Sequence, residues 1–376
     1  MAGLWRAPHL PLFLLAAVWA ALVPLVWLAP RACDPLAWHR QELVLGFAGA
    51  AMGGYLLSAL PHWLKQAGGA GGVPPRATVL LVLAWLAGRL AGGACLPDGL
   101  ALAGQALYPV GLAFCLVVPV ARTAAWSRLP IALAPLGLVL VALRLRLDGD
   151  GLTAVLAMAL LVALVGGRIV PAFLAARAGS RAARPAMPRG GRLADLVTAL
   201  ALALHLGGAP EVWTGAILLT AALAQALRML RWSLAPALRH RQGDLLLLLV
   251  AWLWLPLGLA LVGAALAGLS PPPLPAALHA LTMGLMGGMI LAVMARSWMI
   301  RAPGRLQVGR VTAAAFLLVQ LAAALRLALP DPLLPLLAWS AGWTLASLES
   351  IRAARRPVPH PVLSARRSLT GTAPPS

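Results

Sequence analysis

Two histidines stand where an imidazole is expensive. His279 opens an apolar run, Ala280 to Met294, that meets no charge before Arg296. His39 heads a second one, in Trp38-His39-Arg40-Gln41-Glu42. Inside hydrocarbon an ionisable side chain needs a partner to offset its desolvation, so it marks a functional position by default. Neutral imidazole is also a common ligand for haem iron, copper and zinc. Glu42 follows His39 by one helical turn, on the same face, where a carboxylate can orient a ligated ring or ligate weakly. Met283 and Met286 lie under His279; thioethers suit reduced copper, although methionine at such spacing is more often a gap-filling packer. His205 ends a third apolar run and joins the same layer. Arg89 sits deep inside its own run and requires an anion, a carbonyl cluster, a wet cavity or a helix C-terminus; a haem propionate would serve. Arg168 and Arg296 lie nearer run ends, from which they can snorkel to headgroups. The bland alternatives are an interfacial His39 beside Trp38 and a structural, hydrogen-bonded His279.

The elements that must position these residues are membrane spans. The chain has 376 residues, 61% hydrophobic and 11% charged, where a soluble protein carries about a quarter charged residues. Apolar runs of roughly 20 residues recur from end to end, each long enough to cross about 30 Å of hydrocarbon. The expected fold is all-α and polytopic; barrel strands would alternate polar and apolar residues instead. Breaks at charged, Pro and Gly clusters place about twelve spans, near 10–29, 43–64, 77–96, 99–121, 129–147, 151–174, 193–209, 211–229, 244–268, 275–299, 309–328 and 332–350. The first apolar run, Leu10 to Ala29, exceeds a signal-peptide core of about 7–15 residues and reads as a retained span. A single bundle is expected over 1–356, in two six-helix halves (1–174 and 193–356) joined by a basic loop. Residues 357–376 read as a disordered cytoplasmic tail.

Arginine fixes the expected orientation. Alternate connections hold Lys65 and Arg76, Arg122 and Arg128, Arg177 to Arg192, Arg228 to Arg241, and Arg301 to Arg310, while the opposite set holds only Arg31, Arg40, Arg144, Arg146 and Arg326. Both termini therefore fall in the cytoplasm. The net charge of +20 reports this topology and not nucleic-acid binding, since the arginines lie between spans rather than on one patch. Cys33, Cys95 and Cys115 form no metal-type spacing; Cys33 and Cys95 share the outer side, where they could pair. No P-loop, GxSxG, HExxH or dinucleotide fingerprint occurs, so no soluble-enzyme chemistry is indicated and only a redox role stays open.

Several blocks, in order along most of the chain, resemble the NnrS family of bacterial membrane proteins. They are Leu12-Phe13-Leu14-Leu15-Ala16-Ala17, Trp38-His39 with Glu42 and Gly46-Phe47-Ala48, and Trp85-Leu86-Ala87-Gly88-Arg89. Gly166-Gly167-Arg168-Ile169-Val170-Pro171-Ala172-Phe173, Leu255-Pro256-Leu257-Gly258 and His279-Ala280-Leu281-Thr282 follow. The resemblance implies a twelve-helix protein of the bacterial inner membrane that binds haem and copper and acts in the response to nitric oxide and nitrosative stress. It points to His39 and His279 as ligands, with Glu42 and Arg168 as supporting partners. The expected partners are the lipid bilayer, nitric oxide and a redox partner, with no nucleic acid. The chain departs from the family pattern at Gln41, where a second histidine of the motif is expected, at Leu249, and at Leu174, Ala175 and Ala176. Two other classes stay open on sequence alone. A transporter of a metal or small anion would use Arg89 and His279, although no span is broken at mid-membrane by a Gly/Pro pair. A structural or assembly factor without metal chemistry would account for the missing histidines.

Reporter fusions test the orientation. Joined after Arg189 or after Arg356, only a reporter that works in the cytoplasm should be active. A periplasmic signal at either position would overturn it.

Overall fold

The computed structural model describes residues 3–28, 34–93, 96–147, 149–177, 189–232, 234, 237–238, 242–269, 272–302, 305–358 and 362–363. Cys33, Cys95, most of the loop between the two halves and the tail beyond Leu363 lie outside the described residues. The rest is almost wholly helical. Twelve long helices follow one another as α1 (His9–Leu28), α2 (Pro35–Gln66), α3 (Pro75–Gly93), α4 (Asp98–Arg122), α5 (Leu129–Leu147), α6 (Gly151–Arg177), α7 (Arg189–Leu206), α8 (Glu211–Leu230), α9 (Gly243–Leu266), α10 (Leu274–Ala295), α11 (Arg310–Ala328) and α12 (Leu333–Ala354). Ten of them are long and apolar enough to cross a membrane; α7 and α12 are the other two. The protein is an all-α, multi-pass membrane protein, with one helix for each expected span.

Sequence neighbours pack as antiparallel pairs, and α1 packs against α12 to close the bundle. The centre belongs to α2 and α10. In each, 72% of the apolar window is buried, against 33% in α3 and α5. Helices at the rim leave leucines such as Leu90, Leu140 and Leu223 open to the hydrocarbon.

α2 begins eight residues before the expected span because of its cap. The Asp34 carboxylate accepts a hydrogen bond from the Leu36 backbone N–H (2.9 Å) and Pro35 occupies the first turn, where its missing N–H costs nothing. His39 and Glu42 are consequently inside a helix rather than at its mouth. Both central helices also widen into a π-helical stretch, Glu42–Ala48 in α2 and Ala280–Gly287 in α10. Such stretches disturb the regular backbone ladder and cluster at functional positions. In α2 one carbonyl inside the stretch and one just past it receive side-chain donors: the Trp85 indole to Gly46 (2.9 Å) and the Tyr108 hydroxyl to Gly49 (3.1 Å). His39 and His279 each lie within one turn before the stretch. We call that end of the bundle the histidine end and the opposite one the arginine end.

The arginine end is tied by buried ion pairs. Arg228 of α8 meets Asp195 of α7 at 2.7 Å, and Arg296 meets Asp244 of α9 at 2.9 Å. Arg296, placed where it could snorkel, is 1% exposed instead and stacks 3.9 Å from the Phe173 ring centroid. α10 ends at Ala295, so Arg296 turns back toward Asp244 in the first turn of α9. A short hairpin follows, β1 (Ile300–Ala302) antiparallel to β2 (Arg305–Gln307), with Arg301 opposite Leu306. The carbonyls of Val362 and Leu363 accept hydrogen bonds from Arg301 (2.7 Å) and Arg296 (2.8 Å).

At the histidine end Asp150 caps α6 and ties it to α7. Its carboxylate accepts from the Thr153 backbone N–H (3.0 Å), from the Thr153 hydroxyl and from the His205 Nε2 (3.0 Å). Burial pushes this carboxyl up, but the bonds from Thr153 and His205 outweigh it and hold it below its ordinary value. A depressed carboxyl contributes stability above its unfolded-state value, and that contribution is lost as pH falls through the folded-state value. Wild-type protein should therefore lose thermal stability below about pH 4, and Asp150→Asn should flatten that part of the profile. Superimposable melting-against-pH curves for the two proteins would rule the contribution out.

Candidate functional site

α2 and α10 bring His39 and His279 close enough for their charges to act on each other. The His279 Nδ1 lies 2.5 Å from the Pro275 carbonyl oxygen. A carbonyl only accepts, so Nδ1 carries the proton and the lone pair sits on Nε2, the arrangement a metal-binding imidazole uses. The His39 Nδ1 is buried and has no hydrogen-bond partner among the described residues. The His39 ring is tilted against Trp27, with centroids 5.8 Å apart. Arg40 stands next to His39 and donates to the Gly149 carbonyl (2.7 Å), while Arg326 of α11 lies within electrostatic reach of His279.

One turn below His39 the polar atoms are committed elsewhere. Glu42 is fully buried, and its Oε2 accepts from the Trp19 indole (2.7 Å) and from Arg89 Nη1 (2.8 Å). Arg89 lies 5.4 Å from the Trp85 ring centroid, and Trp19 meets Trp85 edge-on at 5.4 Å. The cluster leaves no room for side chains at two positions. A Cβ on Gly46 would fall 2.5 Å from both Arg89 and Trp19, and one on Gly92 would fall 2.7 Å from the Glu42 Oε1. Arg89 thus has the internal anion that its depth requires, and the anion is a protein carboxylate.

Gln41, at the motif position where a histidine is expected, faces another partner set. Its Oε1 accepts from Gln105 (3.0 Å) and Arg146 (3.2 Å), and Arg146 goes on to Asp98 (2.8 Å). Gln41 therefore ties α2 to α4 and α5. His205 is held by Asp150, as described above. Arg168 is exposed on α6, near Asp195. Among the described residues no three His, Cys, Asp or Glu side chains gather closely enough to hold one ion. Of the residues singled out from sequence, His39 and His279 lie within electrostatic reach of each other, Glu42 and Arg89 form an ion pair, and His205 and Arg168 belong to other contacts.

Sequence reasoning missed Trp19, Trp85, Gln105 and Arg146. One signal could have found the central pair. With 10 acidic residues against 30 basic ones, an arginine deep in a span must claim a carboxylate at the same depth, and Glu42 lies on the adjoining antiparallel span.

The donor set can be tested against a metal group. Two neutral imidazoles, one with an orphaned buried nitrogen and one with its Nε2 lone pair directed by a backbone acceptor, fit an iron or copper held by two nitrogens. A copper site with three or more His, Cys, Asp or Glu ligands is not supplied by the described residues. The family model described as NnrS protein matches residues 3–356 of the chain. None of the curated proteins matches it.

The buried pair generates a measurable expectation. Removing one member of a buried ion pair strands the other charge and costs about 3–5 kcal/mol. Arg89→Leu and Glu42→Gln should each destabilise the purified protein by an amount of that order. The double variant should be more stable than the sum of the two effects implies, because neither charge is then left alone. Strict additivity in thermal or denaturant unfolding would show that the two side chains do not act as a unit.

Proposed function

The chain belongs to the NnrS family, and from that premise we propose that it binds haem, copper or both through His39 and His279 and protects the cell against nitric oxide. What supports this reading is that the two most buried helices each carry a histidine just before a π-helical stretch, the two within electrostatic reach of each other. A metal bound there supplies a centre that takes up nitric oxide or passes an electron. The protein's own part is placement. The Pro275 carbonyl holds the His279 ring in one tautomer. The Glu42–Arg89–Trp19 cluster fixes the α2 turn that follows His39. We place the protein in the bacterial inner membrane with both termini cytoplasmic, which sets the histidine layer on the periplasmic side.

The pairing of Arg89 with Glu42 bears on the rival reading. An anion path through Arg89 would need a charge that the buried carboxylate already neutralises. The metal reading has no such obstacle. Gln41 supports the weaker form of it, with a site one histidine short of the family motif.

Purified protein produced with haem and copper supplied should show a haem band, bound copper, or both, at less than full occupancy. His39→Ala and His279→Ala should each lower metal per protein while yield is roughly maintained. Full metal content in both variants would remove the ligand assignment. A colourless, metal-free parent protein would leave the structural or assembly role in its place.

A further inference from the structure

Beyond the histidine layer, between α2, α5, α6 and α10, the bundle holds a half-open cavity of about 130 Å³ with many half-buried lining side chains. Each π-helical stretch contributes one residue to its wall, Ala48 at the end of one and Met286 near the end of the other. Met286 lies seven residues beyond His279, about 10 Å along the helix axis. The lining is apolar almost throughout. Five of the chain's ten methionines face it, Met52, Met158, Met286, Met289 and Met294. At its α6 edge Gly166 packs closely, since a Cβ there would fall 2.8 Å from the Trp252 ring and 3.1 Å from the Met289 methyl.

Size and polarity choose the occupant. Apolar cavities of roughly 150 Å³ stay dry and take up benzene or xenon. An ion would arrive here stripped of water with no counter-charge, and a polar metabolite would leave its hydrogen bonds unmade. A small neutral molecule loses little on leaving water and gains contact with the polarizable thioethers. We propose that this cavity is a gas pocket, occupied by nitric oxide and supplying it from the hydrocarbon to the layer of His39 and His279. The choice of nitric oxide among small apolar gases rests on the function proposed above; the cavity as a gas site does not.

Xenon separates the two claims. Crystals of the full-length protein pressurised with xenon should show it in this cavity, in the parent protein and equally in a His39→Ala/His279→Ala variant stripped of metal. Ala134→Phe and Ile290→Trp, which fill the cavity from half-buried positions, should each abolish that peak with metal content retained. An empty cavity under xenon in the parent protein, or a lipid acyl chain lodged in it, overturns the gas pocket. In metal-loaded protein, rapid mixing with nitric oxide should give association several-fold slower in the filled variants, with the same final saturation. Equal association rates would overturn the supply role. A protein that takes up xenon but never metal would refute the function proposed above while leaving the gas pocket standing.

Discussion

Glu42 and Arg89 are charges that neither side of the bundle could hold alone. Each is almost fully buried, and a lone charge at that depth costs several kcal/mol even after relaxation. Together they fix much of the histidine end. The 2.8 Å contact sets the spacing of α2 and α3. It demands glycine at 46 and 92, because a side chain at either would enter the cluster. It brings Trp19 of α1 onto the same carboxylate and places Trp85 where its indole caps the Gly46 carbonyl inside the π-helical turn. The His39 backbone belongs to the helical turn just before this assembly, so the pair sets where the imidazole stands.

The same economy governs the arginine end. Asp195 and Asp244, two more of the chain's ten acids, are each spent on one buried arginine. The remaining positive charge falls mostly on the connections between the apolar runs. Charge in this protein divides into two populations. Ion pairs inside the bundle lock neighbouring helices, while others, such as Arg146–Asp98 and Arg352–Glu349, lie nearer its surface.

The sequence makes the first level of this legible and hides the second. Helix number and order follow from the apolar runs and the charged, Pro and Gly breaks between them, and twelve helices stand where those runs fall, ten of them long and apolar enough to cross a membrane. The start of α2 was misplaced because hydropathy ignores caps: Asp34 and Pro35 extend the helix through the polar residues Arg40, Gln41 and Glu42. The π-helical stretches are invisible to periodicity in Leu-, Ala- and Gly-rich segments, which are apolar on every face. Glu42 read as a partner of His39 since the two share a helical face, yet the carboxylate follows a stronger demand from Arg89 across the helix gap. Arg296 looked able to snorkel because its span was drawn four residues too long. For His39 and His279, composition flagged an imidazole in hydrocarbon, but their proximity depends on α2 and α10 both occupying the centre, which no local pattern encodes.

The two central helices are similar frames with different polar content. Each has a proline four residues before its histidine, Pro35 and Pro275, and a π-helical stretch after it. Three residues past the histidine, α2 carries Glu42 and α10 carries Thr282, whose hydroxyl donates to the Leu278 carbonyl (3.2 Å). In α10 the polar groups therefore satisfy their own helix, and the His279 ring is locked to Pro275. In α2 the carboxylate serves a neighbouring helix, and the His39 Nδ1 is left without a hydrogen bond among the described residues. A buried nitrogen in that condition costs free energy until something engages it. One histidine is held ready in a fixed tautomer and the other retains an unmet demand.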